Sequence, residues 1–108
     1  MMPMGLEPFD PKKHKPKDIG KGGLTTEYLI TEYDSDGQVW NIPSVWWDDE
    51  GNPLEMKPEL AQQLAADHEK QTGKRFPRFK SLGDGVAAAK KRSKRGGATK
   101  EPLAAGYK

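Results

Sequence analysis

Residues 25–47 read TTEYLITEYDSDGQVWNIPSVWW, two β-prone runs on either side of a short polar segment. The runs, Thr25 to Tyr33 and Gln38 to Trp47, are rich in Thr, Tyr, Val, Ile and Trp, which favour extended strands. Between them, Asp34-Ser35-Asp36-Gly37 is typical of a hairpin turn. Because Pro43 cannot donate to a β-ladder, we expect the second strand to lie at a sheet edge or to break there.

Two helices are predicted after this hairpin and a polar turn over Asp48 to Pro53. The first helix spans Pro58 to Thr72, with Pro at its first position and Gly73 as its stop. The second opens at Ser81, the first residue of a capping-box pattern, and runs to about Arg95. Their apolar stripes are Leu60, Ala61, Leu64, Ala65 and His68 in the first helix and Leu82, Val86 and Ala89 in the second. The predicted class is α+β, a small β-hairpin or antiparallel sheet packed on two helices.

Both ends of the chain differ in composition from this centre. Residues 1–23 contain four Pro and five Lys, and residues 98–108 have little apolar content. We therefore expect an extended N-terminal arm over residues 1–23, a small α+β domain over residues 24–97 and a flexible C-terminal tail over residues 98–108.

The overall composition allows one small domain with a small core, since 33% of the 108 residues are hydrophobic and 31% are charged. The absence of Cys excludes disulfides and thiolate metal sites. No apolar run approaches the roughly 20 residues of a membrane span, and residues 1–23 lack the apolar stretch of a signal peptide. A soluble product is expected.

Charge is divided along the chain. Residues 24–73 carry eleven Asp or Glu against two Lys, whereas residues 74–108 carry eleven Lys or Arg against two acids. An acidic block of −9 is thus followed by a basic block of +9. This division predicts partners of different sign, or a basic end that folds back onto an acidic body.

No residue set predicts catalysis. The two His are separate, His14 in the Lys-rich arm and His68 on the apolar stripe of the first helix, where a structural role is expected. The acidic turns lack the glutamate that closes a calcium loop. Glu55 or Glu59 could serve general acid/base hydrolysis, but acids near a helix start also complement the helix dipole. We expect no catalytic residue, no metal and no cofactor.

Three tryptophans fall within eight residues of one another. Strand alternation places Trp40 and Trp46 on one face and Trp47 on the other, whereas a small core covers one face. Either the second helix or the Phe76 to Phe79 link covers the other face, or at least one indole contacts a partner protein. The candidate protein-interaction residues are Tyr28, Trp40, Trp46, Trp47, Phe76 and Phe79.

A basic run, Lys90 to Arg95, places five cations in six residues. It is compatible with a solvated helix end, a phosphate-binding patch or a nuclear address. The candidates for contact with nucleic acid or an acidic surface are Arg75, Arg78, Lys80, Lys90, Lys91, Arg92, Lys94 and Arg95. Such contacts would be independent of nucleotide sequence.

Five short segments follow one another in a distinctive order. They are Thr26-Glu27-Tyr28-Leu29-Ile30, the turn Asp36-Gly37, Asn41-Ile42-Pro43-Ser44-Val45, Phe76-Pro77-Arg78-Phe79 and Ala88-Ala89-Lys90-Lys91-Arg92-Ser93. This order resembles a short module of tailed-bacteriophage virion proteins, found in internal or ejection proteins and as small stand-alone products. The resemblance covers Thr25 to about Gly97, and the pair Trp46-Trp47 departs from the smaller residues of that module.

The resemblance implies a non-enzymatic structural or accessory protein of a tailed-phage virion, made in the bacterial host cytoplasm. Its implied partners are portal, tail or internal core proteins, and the internal core proteins take part in DNA ejection. The protein would be present in multiple copies in a symmetric assembly. The basic end would face the DNA backbone or an acidic protein surface. The main alternative is a small basic-tailed nucleic-acid-binding regulator. A second alternative is a small hydrolase or lytic accessory that uses the acids around Glu55.

Overall fold

The computed structural model describes residues 6–18 and 24–94. In chain order the elements are β1 (Lys17–Asp18), β2 (Leu24–Thr25), β3 (Leu29–Tyr33), β4 (Val39–Pro43), β5 (Val45–Trp47), β6 (Pro53–Glu55), α1 (Pro58–Thr72), β7 (Arg78–Phe79) and α2 (Leu82–Lys94). All paired strands are antiparallel, which confirms the predicted α+β class. The predicted tail over residues 98–108 lies outside the described residues.

The central sheet has the strand order β3-β4-β7, and β3 and β4 form the predicted hairpin. Its turn is closed by Asp34, whose Oδ1 accepts hydrogen bonds from the N–H of Asp36 (2.8 Å) and the N–H of Gln38 (2.9 Å). Gly37 takes a left-handed φ of 83°, which glycine adopts without steric cost. The side chain of Asp34 therefore fixes the turn, as Asp does in an Asx turn.

Pro43 ends β4 and does not mark an edge of the sheet. It is the last residue of the central strand and lies opposite Leu29. Ser44 then leaves the sheet, donating its N–H to the Glu27 carbonyl (3.0 Å) and its hydroxyl to the Tyr28 carbonyl (2.5 Å). The predicted break is confirmed, and the predicted edge position is wrong because β7 pairs with the other side of β4.

A second hairpin, formed by β5 and β6, was not predicted. The sequence indicated only a polar turn here, because the returning strand is three residues long and begins with Pro53. The turn repeats the chemistry of the first one: Asp48 Oδ1 accepts from the N–H of Glu50 (3.0 Å) and from the N–H of Asn52 (2.8 Å), and Gly51 has a φ of 83°. The spacing Asp-x-x-Gly, common to both turns, was the available indication.

Helix α1 packs on one face of the sheet and has the predicted bounds. Gly73 ends it in the left-handed conformation, with a φ of 74° and an N–H donated to the Glu69 carbonyl at 2.9 Å. The residues that α1 buries join aromatic residues of the strands in the main core. This core consists of Trp40, Ile42, Trp46, Ala61, Leu64, Ala65 and Phe76.

Helix α2 packs on the opposite face of the sheet. It opens as predicted, since Ser81 Oγ accepts the N–H of Asp84 at 3.1 Å. Its contact point is Gly85, whose carbonyl accepts from Asn41 Nδ2 at 2.9 Å. Because side chains alternate along a strand, Asn41 points away from the main core on which α1 lies. The sheet is thus sandwiched between the two helices.

Two of the three residues in the predicted apolar stripe of α2 are exposed, and the third, Ala89, is half-buried. Leu82 and Val86 are 40% and 41% exposed, and Gly85 is the buried residue of the helix. The missing side chain at Gly85 lets the helix backbone approach the sheet closely, which turns the neighbouring apolar residues outward. The sequence did not indicate this packing contact, because glycine within a helix lowers helix propensity and therefore predicts a less stable helix.

We expect Gly85→Ala to destabilise the protein although Ala is the better helix former. An added Cβ would lie 2.7 Å from Thr31 Cγ2 and 3.0 Å from Val39 Cγ1. Overpacking of this kind costs about 1–3 kcal/mol, which exceeds the roughly 1 kcal/mol that Ala gains over Gly in a helix. The free energy of unfolding, measured by denaturant titration, reports the difference.

Gly83→Ala is the matched control in the same helix. Its nearest neighbour, Ser81 Oγ, lies 3.9 Å from an added Cβ, so this change should stabilise the protein by a few tenths to about 1 kcal/mol. Equal stabilisation by both substitutions would contradict close packing of α2 through Gly85.

Residues 6–18 correct the predicted N-terminal arm. They do not extend away from the domain but lie against β5, where the N–H of Glu7 donates to the Trp47 carbonyl (3.0 Å) and the N–H of Trp47 donates to the Glu7 carbonyl (2.8 Å). Phe9 and His14 are buried, 5% and 6% exposed. The domain therefore includes this segment, because Phe9 and His14 pack on the Trp47 indole.

The remaining short strands, β1 and β2, pair with each other, with Lys17 opposite Thr25. In the described part of the chain, no helix has the length and apolar character needed to cross a membrane.

Candidate interaction surface

Most of the aromatic residues predicted to contact partner proteins are buried. Tyr28 is 47% exposed and Phe79 is half-buried. The others are at most 3% exposed: Trp40, Trp46, Trp47 and Phe76. The hypothesis that an exposed indole serves as a docking anchor is therefore wrong for the folded domain. Both faces of the hairpin are covered, and of the six candidates only Tyr28 presents a large part of its ring to solvent.

Trp47 is covered by the N-terminal segment, and not by the second helix or the Phe76 to Phe79 link as predicted. The ring of His14 stacks on the indole with centroids 5.0 Å apart, and Phe9 meets it edge-on at 5.3 Å. The indole Nε1–H donates to the Thr26 carbonyl at 3.0 Å. This second small cluster fixes residues 6–18 to β5.

Arg78, predicted to contact phosphates, instead lies at the centre of an internal ion-pair network. Its Nε donates to Asp34 Oδ2 at 2.7 Å, and its Nη1 and Nη2 donate to the two carboxylate oxygens of Glu69 at 2.8 and 3.0 Å. The guanidinium carbon lies 4.4 Å from the centroid of the Trp40 ring, within range of a cation–π interaction. The side chain therefore joins the first turn, α1 and the sheet.

The ionisation of this network is fixed by its hydrogen bonds. Burial acts to raise the pKa of Asp34, but hydrogen bonds from Arg78 and from the N–H of Gln38 outweigh it, so this pKa lies below its ordinary value. Burial acts to lower the pKa of Arg78, but the carboxylates of Glu69 and Asp34 raise it above its ordinary value. Asp34 and Arg78 therefore stay charged at neutral pH, and their ion pair has a structural role.

Arg92 is also engaged inside the protein. Its Nε donates to Glu27 Oε2 at 2.6 Å and its Nη2 donates to Glu27 Oε1 at 3.2 Å, which ties α2 to the segment before β3. Burial raises the pKa of the Glu27 carboxyl, although the bonds from Arg92 oppose this shift. Tyr28, the next residue, has a left-handed φ of 43°, so the chain bends sharply at this ion pair.

Of the cations predicted to contact nucleic acid or an acidic surface, those that are exposed among the described residues lie on or beside α2. Arg75 is half-buried, and Arg95 lies outside the described residues. Apart from these two residues and the ion-paired Arg78 and Arg92, the candidates are all exposed. Together with Leu82 and Val86 they form a surface that we name the basic surface. Its cations are Lys80, Lys90, Lys91 and Lys94. Among the described residues, the predicted set for nucleic acid or an acidic surface is thereby reduced to four lysines and Arg75, and Arg95 stays a prediction.

An acidic surface lies at the second hairpin and the start of α1, over residues 48–60. Its exposed carboxylates are Asp49, Glu50, Glu55 and Glu59. Leu54 and Leu60 are 42% and 36% exposed within the same segment. Both surfaces thus combine a net charge of one sign with exposed apolar side chains.

A cleft of about 350 Å³ lies between the first turn and the C-terminal half of α1. Trp40 lines it, and the Nε1–H of this indole is buried without a hydrogen-bond acceptor among residues 6–18 and 24–94. The cleft walls also carry Asp36, Lys70 and Arg75, beside the neutralised Arg78 network. No spacing in the sequence indicated this cleft, because its walls come from segments about 30 residues apart. Its balanced charges favour neither an anion nor a cation.

His68 is placed as predicted, on the core side of α1. Its ring lies 5.7 Å from Phe76 and 6.0 Å from Trp46, centroid to centroid. Burial lowers the pKa of its imidazole, with Lys74 acting in the same direction. A neutral ring packed between aromatics is a structural histidine. In the two described ranges, no three His, Asp or Glu side chains are grouped so that they could hold a metal ion.

Comparisons with protein-family models, with curated proteins and with solved structures find no match to this chain.

Proposed function

We propose that this chain is a non-enzymatic structural or accessory protein of a tailed-phage virion that docks on portal, tail or internal core proteins. The observation that carries the proposal is the separation of exposed charge, with the basic surface on α2 and the acidic surface at residues 48–60. The sequence resemblance over Thr25 to about Gly97 supplies the virion context. Multiple copies, made in the host cytoplasm, would then enter a symmetric particle.

Two surfaces of opposite sign suit a protein that sits between macromolecular neighbours. Charged surfaces that combine a single sign with a few apolar groups steer and orient protein contacts. Among the described residues, the exposed lysines of the basic surface are suited to an acidic protein surface or to the DNA backbone. The exposed carboxylates and leucines of the acidic surface are suited to a second, basic neighbour.

The buried ionisable groups also support a docking role. Glu27 and Arg92 bind each other, and Arg78 binds both Asp34 and Glu69. These groups would be the first candidates for acid/base chemistry, since perturbed carboxyls often mark active sites. Each of these side chains instead forms an ion pair that joins two segments of the fold.

Mass spectrometry of purified, DNA-filled particles tests the proposal. We expect the chain at a fixed copy number relative to the portal and tail proteins, after gradient purification and nuclease treatment. The matched control is the same chain expressed from a plasmid during infection by an unrelated phage, where it should not co-purify. Absence of a stoichiometric copy from the particles of its own phage would exclude the virion role.

A second candidate, a nucleic-acid-binding regulator, is favoured by the four exposed lysines of the basic surface. This function requires tight duplex binding by the isolated chain, with a steep decrease in affinity as salt increases. Fluorescence anisotropy with a labelled duplex, compared between the wild type and Lys90→Glu with Lys91→Glu, separates the two functions. Weak binding at physiological salt supports the virion role, and tight binding lost in the variant supports the regulator.

A further inference from the structure

The acidic and basic surfaces carry net charges of equal magnitude and opposite sign. Among their exposed side chains, residues 48–60 have four carboxylates and one Lys, a net charge of −3, and residues 80–94 have four Lys and one Asp, a net charge of +3. Each surface also exposes two aliphatic side chains, Leu54 and Leu60 on the first and Leu82 and Val86 on the second. Matched charge together with apolar area on both sides is the composition of a protein contact.

The acidic surface ends in α1 and the basic surface lies on or beside α2, and these two helices pack on opposite sides of the central sheet. Within the acidic segment Met56 packs against the main core on the α1 side, and the residues that flank the segment, Trp46 and Ala61, belong to that core. The basic surface belongs to α2, which contacts the other side of the sheet through Gly85 and Asn41. With the sheet between them, the two surfaces of one molecule face different neighbours.

We infer that copies of this chain associate head to tail, with the acidic surface of one copy against the basic surface of the next. A symmetric contact of one surface with itself would place like charges together, so it is disfavoured. A contact between two different surfaces leaves one of each free at the ends of the assembly. Repetition therefore gives a ring or an open chain of copies.

This inference goes beyond the proposed function, because it concerns the isolated chain and requires no other virion protein. Failure of self-association would leave docking on portal or tail proteins intact. Absence from the particle would equally leave self-association intact. The two proposals are thus tested separately.

Analytical ultracentrifugation of the purified full chain is the first measurement. We expect the average mass to rise with protein concentration at low ionic strength and to fall towards the monomer in about 0.5 M NaCl, where the Debye length is only a few ångströms. A monomer at every concentration up to about 1 mM in low salt would overturn the inference. A contact with a dissociation constant weaker than about 1 mM is too weak to hold copies together in an assembly.

Charge exchange gives the decisive test. One variant carries Lys90→Glu with Lys91→Glu, and a second carries Asp49→Lys with Glu50→Lys; all four residues are exposed. Each variant alone should self-associate at least about tenfold more weakly, because both of its surfaces then carry one sign. A mixture of the two should recover association, since every contact between unlike variants again joins opposite charges.

A matched control places the same change of charge elsewhere. Lys12→Glu with Lys74→Glu also reverses two exposed cations, outside both surfaces, and should leave self-association unchanged within about twofold. Leu82→Ser should weaken association without changing the fold, which circular dichroism confirms. Weakening by the control equal to that of the variants, or no recovery in the mixture, would exclude a head-to-tail contact through these surfaces.

Discussion

Arg78→Ala is expected to cost about 3–5 kcal/mol in the free energy of unfolding. The change removes the partner of two carboxylates whose side chains are only 4% exposed (Asp34) and 15% exposed (Glu69). It also uncovers the Trp40 ring, over which the guanidinium lies. Because a small domain is stable by only about 5–15 kcal/mol, such a loss removes a large part of the total stability. Urea unfolding followed by tryptophan fluorescence measures it.

The matched control is Arg75→Ala, which removes a nearby half-buried arginine outside this network and should change stability by about 0.5 kcal/mol or less. Arg78→Lys should fall between the two, because an ammonium keeps the charge but lacks the fork that reaches both carboxylates. Similar losses in Arg75→Ala and Arg78→Ala would show that the ion-pair network contributes no specific stability.

The free energy of unfolding measured as a function of acidic pH gives a further test of the same substitution. The pKa of Asp34 is lowered in the folded protein, so its contribution to stability is present above the unfolded value of 3.8 and is lost as pH falls through the lower, folded value. Removing the Arg78 guanidinium raises the folded pKa of this carboxyl. We therefore expect the stability of Arg78→Ala, already lower at neutral pH, to fall less than that of the wild type as pH falls through this range.

Phe9→Ala is expected to cost about 3 kcal/mol or more, as is usual for removal of a buried phenyl ring. Phe9 is 5% exposed and meets the Trp47 indole edge-on, so its loss opens the small cluster that fixes residues 6–18 to β5. Trp47, fully buried in the wild type, should then become accessible to water. Iodide quenching of tryptophan fluorescence should rise together with the loss of stability.

Lys12→Ala serves as the control within the same N-terminal segment. Its side chain is exposed, so neither stability nor quenching should change measurably. Phe9→Leu should retain part of the burial and lie between the control and Phe9→Ala. Wild-type stability and quenching in Phe9→Ala would mean that residues 6–18 do not hold Trp47 in solution and that the predicted free arm was right.

The elements formed by local chemistry were predictable from sequence. Gly73 and Ser81 end and begin the two helices where their conformational and capping preferences require. The turn at Asp34 to Gly37 closes the first hairpin through hydrogen bonds within five residues. The second hairpin was missed although Asp48 and Gly51 repeat this pattern, because a three-residue strand starting with Pro has weak strand propensity.

The interaction residues were predicted less well, because exposure is not a local property. From sequence alone Trp47 was a candidate for contact with a partner protein. In the structure it is buried by Phe9 and His14, which lie more than 30 residues away in the chain. Arg78 and Arg92 belong to the basic block but bind acids of the preceding block, so they are not part of the exposed positive charge. Leu82 was expected to pack inward and is exposed because Gly85 takes the contact.

The sequence by itself determined the two helices, the first hairpin, the α+β class and the division of charge into an acidic and a basic block. Each follows from preferences that act within a few residues or from composition alone. The tertiary structure decided which charges neutralise one another, which aromatic rings are covered and where the remaining charge lies. These outcomes depend on contacts between residues distant in the chain, since burial and ion pairing are set by whichever groups the fold brings within a few ångströms.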